Sequence, residues 1–219
     1  MDTIIDYNKK FKEKIIDIEK SGVKPTLFLH ACCGPCLTYP LSILVKYFDV
    51  TIGYFNPNIY PESEYYKRLD TLKKFVDEFS LDNNVHVNLV VNQDDFELYR
   101  KAFKNRINDH EGGETCLKCH AYRMGLSYEY AASHNYDYFT TVMTVSCKKP
   151  SRELNEIAFK LAKLYPNTEY LYSDFKKEDG QLKGIKISKQ YNLYRQNYCG
   201  CEASLLERIA YLKSKTENN

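Results

Sequence analysis

The run Thr26-Leu27-Phe28-Leu29-His30-Ala31, which follows Pro25 and ends at Cys32, constrains the fold more than any other feature. It is too short for an ordinary helix and nearly continuously apolar, which suits a strand buried on both faces, as strands of parallel sheets are. Leu41, Ile43, Leu44, Val45 and Phe48 follow at helical spacing, and Val50 to Phe55 reads as a second strand. Residues 26–55 therefore form a βαβ unit, and the first cysteine cluster stands where its first strand hands over to its helix.

The alternation continues along the chain. Residues 3–21 precede the unit as a charged amphipathic helix carrying Ile4, Ile5, Phe11, Ile15, Ile16 and Ile18. A turn-rich loop, Asn56 to Pro61, leads into a helix from Glu62 to Phe79, and Val85 to Val91 is the third strand. A helix from Asp94 to Phe103, a loop from Asn105 to Thr115 and a helix from Leu117 to His134 follow. Tyr138 to Val145 is the fourth strand, Ser151 caps a helix from Arg152 to Leu164, and Glu169 to Tyr172 is the last strand. A short helix at Ile185 to Leu193 and a closing helix from Glu202 to Leu212 complete the chain. Strands alternating with helices predict an α/β fold, a parallel sheet with helices on both faces. At 219 residues and 43% hydrophobic content, one core suffices. We expect a single α/β domain over 1–219, with an N-terminal helical extension (1–22), a cysteine-containing active-site segment (173–201) and a C-terminal helix (202–215).

No run approaches eighteen uninterrupted apolar residues, and Met1 to Lys14 mixes charge with apolar residues, so neither a membrane span nor a secretory signal is expected. That predicts a cytoplasmic protein with no membrane partner. Its eight cysteines then read as thiols, ligands or catalytic disulfides rather than a structural framework. With 31 basic and 29 acidic residues, net charge does not announce a nucleic-acid binder. Local basic groups do occur, at Arg100, Lys101, Lys104 and Arg106, at Lys148, Lys149 and Arg152, and from Lys176 to Lys189. Each reads equally well as a solvated face.

Seven cysteines fall into three clusters: Cys32, Cys33 and Cys36; Cys116 and Cys119; and Cys199 and Cys201. Two Cys-x-x-Cys pairs, Cys33 with Cys36 and Cys116 with Cys119, satisfy tetrahedral zinc but leave three clustered thiols over. An iron-sulfur centre uses the inventory more fully, since four thiolates hold a cubane and neighbouring thiols can bind a second metal or accept electrons. A thiol-disulfide oxidoreductase needs only one such pair. A sulfur-inserting tRNA-modification enzyme of similar fold is a competing reading, but such nucleotide-binding α/β proteins carry a glycine-rich loop in the place that Cys32, Cys33 and Cys36 take here. His30 and His120 lie beside the thiols, either as donors or as packed, satisfied histidines. Cys147 stands alone and reads as a small buried or semi-buried residue.

Five strings carry a resemblance: Leu29-His30-Ala31-Cys32-Cys33-Gly34-Pro35-Cys36; Tyr54-Phe55-Asn56-Pro57-Asn58-Ile59-Tyr60-Pro61; Cys116-Leu117-Lys118-Cys119 with Arg123-Met124; Asp174-Phe175-Lys176-Lys177; and Tyr194-Arg195-Gln196-Asn197-Tyr198-Cys199-Gly200-Cys201. Together, over about residues 25 to 205, they resemble the epoxyqueuosine reductase family QueH. The resemblance implies a HUP-like, Rossmann-like nucleotide-binding architecture and the last step of queuosine synthesis, reduction of the epoxide of epoxyqueuosine to a cyclopentene at the tRNA wobble position, without cobalamin. It further implies a [4Fe-4S] cluster on Cys32, Cys33, Cys116 and Cys119, and a redox-active pair at Cys199 and Cys201. A second, mononuclear metal, iron, would draw on Cys36, Asp174, Cys199 and Cys201. The partners implied are tRNA carrying epoxyqueuosine in its anticodon loop and an unidentified electron donor. Arg195, Lys176, Lys177 and the Lys148-Lys149 pair are candidate phosphate contacts, and Tyr194 or Tyr198 candidate stacking residues. The family continues its fourth strand with Ser-Pro where this chain has Ser146-Cys147, so Cys147 receives no role.

Overall fold

The computed structural model describes residues 5–93 and 96–217, and in it the apolar run is the centre of the sheet. In chain order the elements are α1 (Tyr7–Ser21), β1 (Thr26–His30), α2 (Gly34–Leu44), β2 (Asp49–Tyr54), α3 (Glu62–Asn83), β3 (Asn88–Val91) and α4 (Phe96–Ala102). There follow α5 (Glu114–Ser133), β4 (Tyr138–Thr141), α6 (Ser151–Ala162), β5 (Glu169–Tyr170), α7 (Gly180–Gln190) and α8 (Glu202–Glu217). Short 3-10 turns occupy Lys104–Asn108 and Val142–Val145. The sheet order is β3-β2-β1-β4-β5, with every neighbouring pair parallel. This is a Rossmann-like α/β fold. No helix among the described residues is long and apolar enough to cross a membrane.

The period-2 alternation of β1 sorts the core into two layers. Leu27 and Leu29 pack with Phe11 of α1, Leu41 of α2 and Phe75 of α3, whereas Phe28 faces Met124 and Tyr128 of α5 and Leu154 of α6. The chain leaves β1 through α2 toward β2, but enters β4, on the other side of β1, from α5 on the opposite face. The loops after β1 and β4 therefore diverge and open a crevice at the carboxyl end of the sheet, where ligands of such folds bind.

Several boundaries differ from those expected, each for a local reason. The third strand starts at Asn88 rather than Val85, because α3 runs on to Asn83 and closes with Asn84 at φ 50° and Val85 N donating to Ser80 O. The fourth strand stops at Thr141, whose Oγ1 accepts from Met143 N at 3.2 Å and winds the rest into a 3-10 turn. Ser151 is the first residue of α6, not its cap; Pro150 takes the capping position without a side-chain bond. The last strand ends at Tyr170, the short helix lies at Gly180–Gln190 rather than 185–193, and α8 reaches Glu217. Residues 3 and 4 of the first expected helix, and the expected start of α4 at Asp94, lie outside the described residues.

Gly53 of β2 is required by packing. A Cβ there would lie 2.3 Å from Phe28 Cε1, inside the aromatic layer between the sheet and α5. Gly53→Ala is expected to cost about 1–3 kcal/mol as overpacking, read as a lower urea midpoint at unchanged slope.

Candidate active site

The first cysteine cluster wraps the first turn of α2. Ala31 N still bonds to Gly53 O at 2.9 Å, continuing the β1 ladder; Cys33 then takes the capping position and Cys36 falls in the helix's first turn. The three Sγ atoms lie within 4.8 Å of one another, with Cys32 and Cys33 3.9 Å apart. Hydrogen bonds from Cys33 and Cys36 hold the Cys32 thiol well below its usual range. Burial pushes Cys33 up to about 12, and the bonds to its two neighbours raise Cys36. The trio thus concentrates thiolate character on Cys32, at the positive end of a helix.

The second cluster approaches from the opposite layer. Cys116 and Cys119 belong to α5, which starts at Glu114 rather than Leu117, so both are helical and three apart on one face. Gly112 N donates to Cys116 Sγ at 3.4 Å, and Tyr99 Oη donates to Cys119 Sγ at 3.0 Å. Burial raises Cys116 and pushes Cys119 up to about 11, and charges on Cys199 and Cys201 act on both.

The third cluster is held by a buried arginine. Arg68 of α3 donates from Nε to Glu64 Oε1 at 2.7 Å, from Nη1 to Cys199 O at 2.9 Å and from Nη2 to Tyr198 O at 3.3 Å. Tyr194 Oη completes the arrangement by donating to the Glu64 carboxylate. Between the two cysteines Gly200 has φ 136°, and a Cβ there would meet Arg68 Nη1 at 3.0 Å, so the turn accepts only glycine without strain. Gln196 Nε2 reaches from the same segment to Cys33 Sγ at 2.9 Å.

A cleft of about 360 Å³ opens over this assembly, lined by Cys32, Cys36, Cys116, His120, Lys149 and Cys199 among others. The thiols of Cys199, Cys32 and Cys36 raise the Lys149 ammonium against the opposing effect of burial. His120 Nδ1 is buried and meets no hydrogen-bond partner among the described residues, and burial lowers the ring's pKa. His30 is the satisfied alternative: its ring bonds Thr141 Oγ1 and Phe55 O, and burial lowers it to about 3, so it is a neutral packing residue.

Not every expected residue joins. Cys36, expected as a spare ligand, sits inside the first trio. Asp174 stands apart, with Oδ1 2.9 Å from Lys176 Nζ on a groove against α1 that Lys177 also lines. Lys148 and Arg195 line the cleft, as does Tyr198. Cys147 is exposed rather than buried; it lines the cleft mouth, with Gln181 Nε2 3.2 Å from its sulfur. Arg68, Tyr99, Gln196 and the role of Arg123 were not legible as site residues. Arg123 is fully buried, gives Nη2 to Asn56 Oδ1 at 2.5 Å and leaves Nε without a hydrogen-bond partner among the described residues. Its pKa is raised, against burial, by Cys119, Cys32 and Cys199.

Arg68→Met would leave Glu64 buried without its cation and free the carbonyls of Tyr198 and Cys199. We expect a loss of about 3–5 kcal/mol in urea unfolding, and faster proteolytic cutting between residues 194 and 201 than elsewhere in the chain.

Comparison with known proteins identifies the family. Residues 27–207 match the family described as epoxyqueuosine reductase QueH. Among curated relatives of that name, one from Staphylococcus epidermidis is 36% identical over 90% of this chain and 83% of its own. One from Staphylococcus aureus is 34% identical over 93% and 85%, and one from Thermotoga maritima 30% identical over 84% and 92%. The chain belongs to the epoxyqueuosine reductase QueH family.

Proposed function

We propose that this chain reduces the epoxide of epoxyqueuosine at the tRNA wobble position to the cyclopentene of queuosine, without cobalamin. The observation that carries the reading is the convergence of three thiol clusters, with Lys149 and His120, on one cleft at the sheet's switch point. The reaction takes up two electrons and two protons and releases the epoxide oxygen as water. Two thiols that become a disulfide supply that equivalent, and the candidates are Cys199, which lines the cleft, and Cys201 two residues on. Lys149, a cation facing the same space, stabilises negative charge on the oxygen as its carbon bond breaks.

The residues suit a [4Fe-4S] cluster. Its candidate ligands are Cys32, Cys33, Cys116 and Cys119, all soft sulfur donors, with Cys36 next to the first two for a second, mononuclear iron. The buried guanidinium of Arg123, with its unpartnered Nε, fits an anionic group in their midst. When bound, such a cluster supplies one-electron transfer to the cleft. Asp174, engaged with Lys176, is the weaker second-metal candidate.

An anticodon loop entering the cleft meets Lys148, Lys149 and Arg195 for its phosphates and the Tyr198 ring for a splayed base.

Anaerobically reconstituted protein incubated with epoxyqueuosine tRNA and a chemical reductant should yield, after nucleoside digestion, a mass lower by one oxygen. The preparation should contain iron and acid-labile sulfide; stoichiometric zinc in a colourless active protein would sink the cluster assignment. Cys199→Ser should abolish single-turnover reduction while leaving tRNA binding intact. Charge reversal at Lys148 and Arg195 should weaken tRNA binding and reduce the slope of log affinity against log salt by about 0.7 for each phosphate that is no longer neutralised. The same change at Lys176, which is paired with Asp174, and at Lys177, which lines the α1 groove, should leave that slope unchanged in a filter assay.

A further inference from the structure

The Cys199-Gly200-Cys201 turn separates two cavities. Cys199 lines the cleft already described, whereas Cys201 lines a second cavity of about 220 Å³ on the far side of the turn. Its walls are Tyr60, Phe96, Tyr99 and Phe103, and Arg100 and Lys104 stand among its lining residues. The division is fixed by the backbone, because Arg68 holds Cys199 O at 2.9 Å and Tyr60 N holds Gly200 O at 2.8 Å. Tyr99 links this cavity to the thiol centre, since its ring is part of the wall and its hydroxyl donates to Cys119 Sγ at 3.0 Å.

We infer that the second cavity is the entrance for a reductant bearing a thiolate flanked by carboxylates, which restores the Cys199 and Cys201 thiols from the rear while RNA occupies the front cleft. This rests on reading the two cysteines as the redox pair. Thiol-disulfide exchange needs one sulfur of the disulfide to be open to attack. With the nucleoside seated over Cys199, that sulfur is Cys201. The incoming thiolate bonds to Cys201 Sγ, the sulfur-sulfur bond breaks, and Cys199 leaves as a thiolate and takes up a proton. A second thiol then attacks the reductant's sulfur in the mixed disulfide, which frees Cys201 and leaves the reductant as its own disulfide. The two electrons and two protons thus come from two reductant thiols.

Size and charge set the class. The cavity is smaller than the roughly 300–1,000 Å³ of pockets for drug-sized ligands, so it takes a slender thiol-bearing arm rather than a folded domain. Arg100 is paired with Glu97 and Arg106 with Glu207, and Glu202 adds one acid to the lining, so exposed Lys104 is the cation of this basic group that is left to attract an incoming carboxylate. A free small thiol and an acidic peptide arm share this chemistry.

The test uses the full-length protein oxidised to a Cys199–Cys201 disulfide, located by peptide mass mapping. Its reduction is timed with dianionic mercaptosuccinate, with cationic 2-mercaptoethylamine and with a tripeptide bearing cysteine between two aspartates, each normalised to its rate on a small-molecule disulfide. The two anionic thiols should be favoured by about tenfold, Lys104→Glu should remove that preference, and saturating anticodon stem-loop RNA should leave the rate unchanged. The faster of mercaptosuccinate and the tripeptide identifies whether the arm is a free thiol or peptide-borne. Blockage by the RNA would assign the cavity to the RNA surface and overturn the entrance, as would rates blind to Lys104→Glu. Failure to form any Cys199–Cys201 disulfide would instead overturn the redox-pair reading beneath it.

Discussion

Arg123 is 2% exposed on the inner face of α5, and a guanidinium taken out of water costs several kcal/mol unless negative charge is buried with it. Arg68, equally buried, has Glu64 at 2.7 Å. Arg123 has the Asn56 amide and, for charge, the sulfurs of Cys119, Cys32 and Cys199. Cation and sulfurs therefore support one another: Arg123 favours the thiolate of Cys32 and opposes the rise that burial imposes on Cys119, and their sulfurs in turn favour the buried guanidinium. The bond runs on into the fold, because Asn56 Nδ2 donates to Ala31 O at 2.9 Å and so fixes the end of β1 to the loop after β2. Sheet, helix and thiol centre meet in that one chain of contacts.

The parts that were legible from the amino-acid order are those set by local periodicity. The apolar run at 26–31 and its handover to Cys32 depend only on a strand's period and on the residues just beyond its end, and the cysteine-lined cleft opens beside that handover. Arg68 shows where such reading fails. Glu64 and Arg68 are four apart on a helix, the spacing of an ordinary solvent pair. Yet Tyr65, Leu69, Leu72, Phe75, Val76 and Phe79 define the buried stripe, and position 68 falls within it. A charge inside an apolar stripe was the available signal, and its meaning depends on carbonyls more than a hundred residues away, at Tyr198 and Cys199.

Cys116 and Cys147 fail for different reasons. Gly112-Gly113 reads as a loop leading into Cys116, but Gly113 is the capping position and Glu114 already opens the helix, with its acidic side chain at the favourable end. Cys147, a single cysteine just after the expected strand 138–145, reads as buried or semi-buried. The strand ends at Thr141, the turn Val142–Val145 carries the buried surface, and Cys147 emerges at the cleft mouth. Strand length here is decided by the Thr141 side chain, which no apolar count registers.

The position of the first cysteine cluster also explains how this fold departs from its nucleotide-binding relatives in architecture. After the first strand, such proteins leave backbone N–H groups of the next helix open to a phosphate. Here Cys33 at the capping position and Cys36 one turn on place sulfur there, so the partial positive charge of α2 acts on an anion carried by the chain itself. A free phosphate would have to displace covalently attached sulfur, with the thiolate of Cys32 beside it, from that end. On the proposed reading the phosphates of an RNA ligand are gripped elsewhere, by Lys148, Lys149 and Arg195, which sit on the loop after β4 and on the segment preceding Cys199 and line the same cleft. Replacing a phosphate loop by thiols therefore gives the switch point to sulfur and leaves the cations of this end of the sheet to the rim of the cleft.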